Sequence, residues 1–305
     1  MKAFFCPTFE LPLPVGHSFP MAKYRRLYER VHDNAARWNV TLHEPVSASD
    51  EALLRAHCPA YVERVRLGTL SAQEQRRIGF PWSQAMARRA RRTVGGTIAA
   101  LNSAIREGGV AVNLAGGTHH AGFDRGGGYC IFNDAVVAAR NAQAEGITER
   151  VLIVDLDVHH GNGTAELVAS DDTLFAFSMH DAKNYPAIKP ASDLDVPLPP
   201  GTGDARYLDL LAAHLPKALE SSRADAVIYL AGADPFEGDR LGQLGLTKAG
   251  LAERDRYVLS MCARLGLPVA VAMAGGYAPE VEDIVDIHAR TVEIAAASFR
   301  QRLAA

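Results

Sequence analysis

The chain has 305 residues, 48% of them hydrophobic, with 26 glycines and 16 prolines, the composition of a well-packed globule with many tight turns. No apolar stretch is long enough to span a bilayer as a helix. A formal net charge of −3 and a pI near 6.4 exclude any global attraction to nucleic acid or to an anionic membrane surface.

Taken in order, Lys2 to Cys6 reads as a short strand, followed by a proline-studded loop through His17 and Pro20 of the kind that often lies over a site. A charged amphipathic helix is predicted over 21–37, a strand over Val40–His43, a helix over 51–56 capped by Asp50, and another from Pro59. Ile78 to Trp82 carries turn chemistry. A long helix from Gln84 to Arg106 begins with the basic run Arg88-Arg-Ala-Arg-Arg92, which reads as a solvated face because no aromatic residue interleaves with it. Val110 to Leu114 is a buried-strand candidate running into Ala115-Gly-Gly-Thr-His-His-Ala-Gly122. A Gly-rich loop over 124–128 then leads through Tyr129 and Cys130 to a helix over Ala135–Glu145.

Val151-Leu-Ile-Val154 is continuously apolar, as expected of a parallel strand covered on both faces. Asp155, Asp157 and His159 follow at a spacing of two, which in extended backbone sends all three side chains to one side, with Gly161 and Gly163 ending the strand. A carboxylate–imidazole face suits a divalent metal with mixed N and O ligands; a DxD strand end whose acids cap the next helix is the alternative. A helix over Thr164–Ala169, a strand over Leu174–His180 and a surface loop over Asn184–Asp204 come next. A helix over 206–221, a strand over Ala226–Leu230, a helix over 247–265, a strand over Val269–Met273 and a helix from about 280 to the end complete the alternation. Strands alternating with helices imply one α/β domain over residues 1–305, a parallel sheet flanked on both faces, with the site at the strands' carboxyl ends. Cys6, Cys58, Cys130 and Cys262 show no CxxC pairing, and Pro7 cuts the first apolar run short, so a reduced, cytoplasmic protein is expected.

Four strand ends carry polar clusters: His119-His120, Asp155/Asp157/His159, Ala231-Gly-Ala-Asp234 and Ala274-Gly-Gly-Tyr277. Their order and content resemble the zinc-dependent histone deacetylase and acetylpolyamine amidohydrolase superfamily, and the resemblance covers nearly the whole chain. Gly116-Gly-Thr-His-His-Ala-Gly122, Gly126-Gly-Gly-Tyr-Cys130, Val154 to Gly163 and Ala231 to Arg240 look most like the class IV branch and its bacterial relatives. The resemblance implies a three-layer arginase-like α/β fold. It implies Asp157, His159 and Asp234 as ligands of Zn2+, the tandem His119 and His120 as acid–base residues, Asp155 and Asn162 as their respective partners, and Tyr277 as donor to the substrate carbonyl. A neutral Asn162 stabilises no imidazolium, so His120 is expected to be the weaker base. It further implies a substrate tunnel involving His17, Gly128, Tyr129, Gly275 and Gly276, and a K+ site drawing on Asp155, Asp157, His159, Ser178 and Met179. Cys130 reads as a packing residue.

The activity so implied is hydrolysis of acyl groups, acetyl or longer, from lysine side chains in a peptide. Three rivals stand beside it. Hydrolysis of acetylpolyamines or another small acylated amine calls for acids at the tunnel mouth, for which Asp181, Glu237 and Asp239 are candidates. An arginase-like binuclear manganese enzyme would need carboxylates for two ions, and a catalytically silent acyl-lysine binder would need none of the acid–base residues. The bacterial-looking, tail-free sequence gives no reason to favour histones, and self-association as a homo-oligomer is left open.

Overall fold

Among the described residues eight short segments become strands: Lys2–Phe4 (β1), Thr41–His43 (β2), Val110–Asn113 (β3), Val151–Asp155 (β4), Leu174–Asp181 (β5), Leu194–Leu198 (β6), Ala226–Leu230 (β7) and Val269–Ala272 (β8). The structure, a computed structural model, describes residues 1–304, and side chains as far as Phe299; residue 305, the end of the expected last helix, lies outside the described residues. The strands form one sheet in the order β2-β1-β3-β8-β7-β4-β5-β6, and every pairing is parallel.

Among the described residues ten helices connect and cover the strands: Ala22–Trp38 (α1), Asp50–Leu54 (α2), Pro59–Leu67 (α3), Ala72–Ile78 (α4), Gln84–Glu107 (α5), Asp134–Ala144 (α6), Asn162–Val168 (α7), Asp204–Ser222 (α8), Lys248–Arg264 (α9) and Val281–Ala304 (α10). Because side chains alternate along a strand, each central strand feeds two cores. On β4, Leu152 and Val154 pack with Leu27 of α1, Leu215 of α8, Val258 of α9 and Val292 of α10. Val151 and Ile153 face the other way, among Val62 of α3, Val94 of α5 and Val136 of α6. The buried polar ends of β4, β7 and β8 lie side by side at the carboxyl edge, where an open parallel sheet places its ligand crevice.

Several expectations need correction. Ser49, not Asp50, caps α2, its side chain accepting from Ala52 N–H. Helix α4 was not expected, yet Ser71 and Glu74 close a reciprocal capping box at its start, a pattern written plainly in the sequence. The predicted surface loop over Asn184–Asp204 contains β6, which pairs with β5 alone; as an edge strand it accommodates Pro197, the residue that hides it. Strand β4 stops at Asp155, so Gly161 and Gly163 do not end it; Gly161 precedes α7 and Gly163 is buried within it. Arg88–Arg92 is no uniform solvated face either. Arg89 is buried over the Tyr24 ring and donates to the Thr8 carbonyl, while Arg91 and Arg92 pair with Asp50 and Glu44.

One cation ties the layers to the crevice. Arg254 of α9 is fully buried beside Asp255, and its Nη1 donates to the carbonyls of Gly232 (2.7 Å) and Leu156 (3.3 Å). Asp255 in turn accepts from the hydroxyls of Tyr229 and Thr291. Replacing Arg254 by Leu strands the Asp255 carboxylate in the core and is expected to cost ~3–5 kcal/mol of unfolding free energy, read as a lower urea midpoint with little change in slope.

Candidate active site

Asp157, His159 and Asp234 meet in the crevice, all buried, with ligand-type atoms within 4.8 Å of one another. Extended backbone does not bring them together. Past Asp155 the chain turns, and Asp157 Oδ1 accepts from His159 N–H (2.9 Å), folding the imidazole back over the carboxylate. His159 Nδ1 then lies 3.0 Å from Asp157 Oδ1 and 3.3 Å from Asp234 Oδ2. Val158 N–H holds Asp234 Oδ1 at 3.0 Å and Gly275 N–H holds Asp157 Oδ2 at 2.8 Å. Glycine is required at 275, since a Cβ there would stand 1.9 Å from Asp234 Oδ2.

This set fits a divalent cation. Asp234 Oδ2 is buried and takes no hydrogen bond, its near neighbour being His159 Nδ1. Burial and the adjacent Asp157 charge push the Asp234 carboxyl up to about 7, the direction expected of two carboxylates crowded in a buried site. Two carboxylate oxygens and one imidazole nitrogen are a mixed N/O donor set of the kind Zn2+ takes with open positions.

The tandem histidines are held differently. His119, 3% exposed, places Nδ1 2.6 Å from Asp155 Oδ2; burial opposes its charge, but Asp155 and Asp157 prevail and raise it to about 9. His120 Nδ1 lies 2.8 Å from Asn162 Oδ1, and burial with repulsion from His119 and His159 holds it well below its ordinary value. The hydrogen bond to Asn162 acts in the opposite direction without offsetting these causes. The loop bearing both is pinned from beneath, where Gly117 and Thr118 N–H donate to the Asp134 carboxylate (3.0 and 2.7 Å).

Tyr277 closes the far side. Its N–H donates to Asp239 Oδ2 (2.6 Å), and burial together with the Asp157 and Asp234 charges drives its hydroxyl well above the usual tyrosine range. A cavity of about 290 Å³ reaches this point from solvent, lined among others by His120, His159, Tyr129 and Tyr277. A smaller space of about 40 Å³, touching Asp157, both tandem histidines and Gly275, lies inward. Gly128, at φ +49°, lines the outer cavity, and a Cβ there would sit 2.4 Å from the His120 ring. The Tyr129 wall is seated by α4, whose end accepts from Gly128 and Tyr129 N–H at the Arg77 and Ile78 carbonyls.

Not every expected tunnel residue lines the cavity. His17 stands behind the wall, its Nε2–H donating to Gly79 O (2.8 Å). Gly276 offers its carbonyl to the buried Lys23 Nζ (3.1 Å). Ser178 lies beside Asp155 in the β4–β5 register, its hydroxyl 2.9 Å from His180 Nδ1, with Met179 buried next to it. Cys130 is buried and its thiol pushed up, as a packing residue should be. Of the acids proposed for the mouth, Asp181 is fully buried and Asp239 is occupied by the N–H groups of Leu241, Gly242 and Tyr277.

Some neighbours carry no sequence signal. Tyr185 packs edge-on against His120 with ring centres 4.8 Å apart, placed there by a loop whose course only the folded chain defines. His160, His180 and Asp195 form a second group of ligand-type atoms, sharing no residue with the first; strand β6, which supplies Asp195, was itself hidden.

The sequence matches the histone deacetylase domain over residues 17–292. The chain belongs to the histone deacetylase family. Its hydrolase class follows from that membership. It is 44% identical to an uncharacterized protein of Picosynechococcus sp., over 92% of this chain and 94% of that protein. It is 30% identical to histone deacetylase 2 of Arabidopsis thaliana, over 86% of this chain and 70% of the other. The crystal structure of the HDA15 HD domain shares the deacetylase fold, with a TM-score of 0.81 at 23% identity over 99% of this chain and 94% of that one. Among the described residues no helix is long and apolar enough to cross a membrane.

The deacetylase crevice rests on a titratable support. His57 bridges the loop after His120, its Nδ1 donating to Gly122 O (2.8 Å) and its Nε2 accepting from Asn133 N–H (2.9 Å). Burial lowers it from 6.5 to about 4, as it does His180. The unfolded chain takes up these protons near pH 6.5 and the folded chain near 4. This stability is therefore present above 6.5 and lost as pH falls toward 4, up to ~3 kcal/mol for a shift of the size at His57. Urea unfolding at about pH 7 and pH 4.5 checks it, the lower pH giving the earlier midpoint.

Proposed function

We propose that this chain is a zinc-dependent amidohydrolase that removes acyl groups from lysine side chains in peptides, nearest in kind to class IV deacetylases. The observation supporting it is the convergence of the Asp157/His159/Asp234 set, an imidazole kept unprotonated and a tyrosine hydroxyl kept protonated around the inner end of one aromatic-walled cavity.

Zn2+ held by Asp157, His159 and Asp234 would polarise the amide carbonyl and acidify water. The chain's own residues supply the rest. Asn162 accepts from His120 Nδ1–H, which leaves Nε2 with its lone pair toward the cavity, and His120 takes the proton of the attacking water there. The same nitrogen then returns the proton to the departing amine. His119, whose proton Asp155 retains, keeps a positive charge beside the reacting carbonyl. Tyr277 donates its hydroxyl hydrogen to the oxygen that becomes anionic. Gly128 and Tyr129 flank the lysine stem. K+ near Asp155, Asp157, His159, Ser178 and Met179 belongs to the same proposal.

The inner space of about 40 Å³ suits a short acyl group. A longer chain would enter an adjoining space of about 50 Å³, bounded in part by Phe19, Phe80, Met86 and Tyr129.

Turnover of one lysine peptide bearing acetyl, octanoyl or myristoyl, with an acetylated polyamine alongside, tests the reading. Acetyl-peptide turnover should exceed that of the polyamine, vanish with a chelator and return with Zn2+. Activity indifferent to chelation would refute the metal assignment. Tyr277→Phe is expected to lower kcat by about 10²–10³ with folding intact, and His120→Ala by about 10²–10⁴. Unchanged kcat in either variant would overturn the role of that side chain in the reaction.

A further inference from the structure

The mouth of the cavity has a charge that none of the reacting groups requires. Arg76 and Arg77, the last turn of α4, are both exposed and both line it. No salt bridge to either guanidinium occurs among the described residues, whereas Arg64 and Arg66 on the neighbouring α3 are paired with Glu74 and Glu63. Among the described residues no carboxylate lines the same cavity. Beside its other wall, next to the lining residue Leu241, exposed Arg240 donates to Ser18 O, whose hydroxyl meets Tyr129 at 3.0 Å. Lys189 adds a further charge behind Asn184 and Tyr185, donating to the carbonyls of Asn184 and Pro186. Glu237 is exposed but does not line the cavity.

We propose that Arg76 and Arg77 are specificity-determining residues that select acyl-lysine set among acidic residues and reject polycationic amines. The inference rests on the lysine-deacylase reading of the site below the rim. A lysine stem filling the tunnel leaves its flanking residues at the rim, within reach of two unpaired guanidiniums. Flanking Asp or Glu gains two ion pairs there; flanking Lys, or the free ammonium groups of a polyamine, meets like charge. Rim charges of this kind act mainly on encounter and are weakened by salt.

The test uses the full zinc-loaded chain and one fluorescent acetyl-lysine peptide core flanked by Glu/Asp, by Gly/Ala or by Lys/Arg. Binding is read by anisotropy and hydrolysis by kcat/KM. The acidic peptide is expected to exceed the basic one roughly three- to tenfold in both readouts, through KM, and the gap to narrow between about 50 and 500 mM salt. Arg76→Glu with Arg77→Glu should invert the order, and Arg76→Gln with Arg77→Gln should level it. Equal values for the three flanks, the same order in the charge-reversed variant, or an acetylated polyamine binding better than the acidic peptide would overturn the rim assignment. If no peptide is hydrolysed while anisotropy still shows the order and its inversion, the rim assignment stands and the lysine-deacylase reading falls.

Discussion

Two carboxylates held side by side in a core are the constraint on which the rest of this protein depends. Asp157 and Asp234 lie with His159 where solvent cannot screen them, and burial alone makes such a pair costly. The fold meets that cost in part with backbone dipoles, and one buried cation anchors the turns that carry the acids. Backbone N–H groups from Val158, His159 and Gly275 point at the pair, and Gly275 lacks the side chain that would push the acids apart. Beneath them Arg254 grips the carbonyls of Leu156 and Gly232, one residue before the first acid and two before the second. The turns that carry the acids are thus tied to the same buried guanidinium, and the remaining unbonded oxygen, Asp234 Oδ2, is the one that faces the imidazole.

Backbone strain gathers around the same point. Tyr129 and Ala274, neither of them glycine, adopt φ of +65° and +56°, a conformation costly for L residues and kept only where the surroundings enforce it. Tyr129 is enforced by α4, to which its N–H is bonded, and by Gly128, which lets the His120 ring approach. The cavity wall and the imidazole beside it therefore share one packing arrangement, so a change at residue 128 is felt by His120 before any substrate is.

Chemistry at strand ends was legible in the sequence because it interrupts apolar runs: Asp155 ends a strand that is buried on both faces, and Asp234 and Tyr277 each follow one. Geometry was less so. The spacing of two placed Asp157 and His159 on one side of an extended strand, yet the strand ends at Asp155 and a turn closed by Asp157 makes them converge. Pro197 concealed β6, since a proline argues against a strand unless that strand is at an edge, and edge position is a property of the sheet. Helix α4 was announced by Ser71 and Glu74, but seven residues give too little periodicity to outweigh the turn chemistry after it. With α4 went the seat of Tyr129 and the basic rim. Tyr185 and His57 act through contacts with His120 and Gly122 that no local pattern encodes.

The two tandem histidines show how neighbours divide labour between identical side chains. They adjoin in sequence and their rings lie 4.1 Å apart, so burial penalises a charge on either about equally. What differs is the partner: a carboxylate at 2.6 Å for His119, an amide oxygen at 2.8 Å for His120. Once His119 holds a proton for Asp155, its charge adds to that of His159 and pushes protonation of His120 further away. The carboxylate thus sets the state of both rings, one directly and the other by repulsion. Environments that drive two titratable groups apart separate a charge-bearing role from a proton-accepting one. Here the group left unprotonated is the one lining the cavity by which substrate and water would enter, and an aspartate at 162 would weaken that separation by giving the second proton a partner of its own.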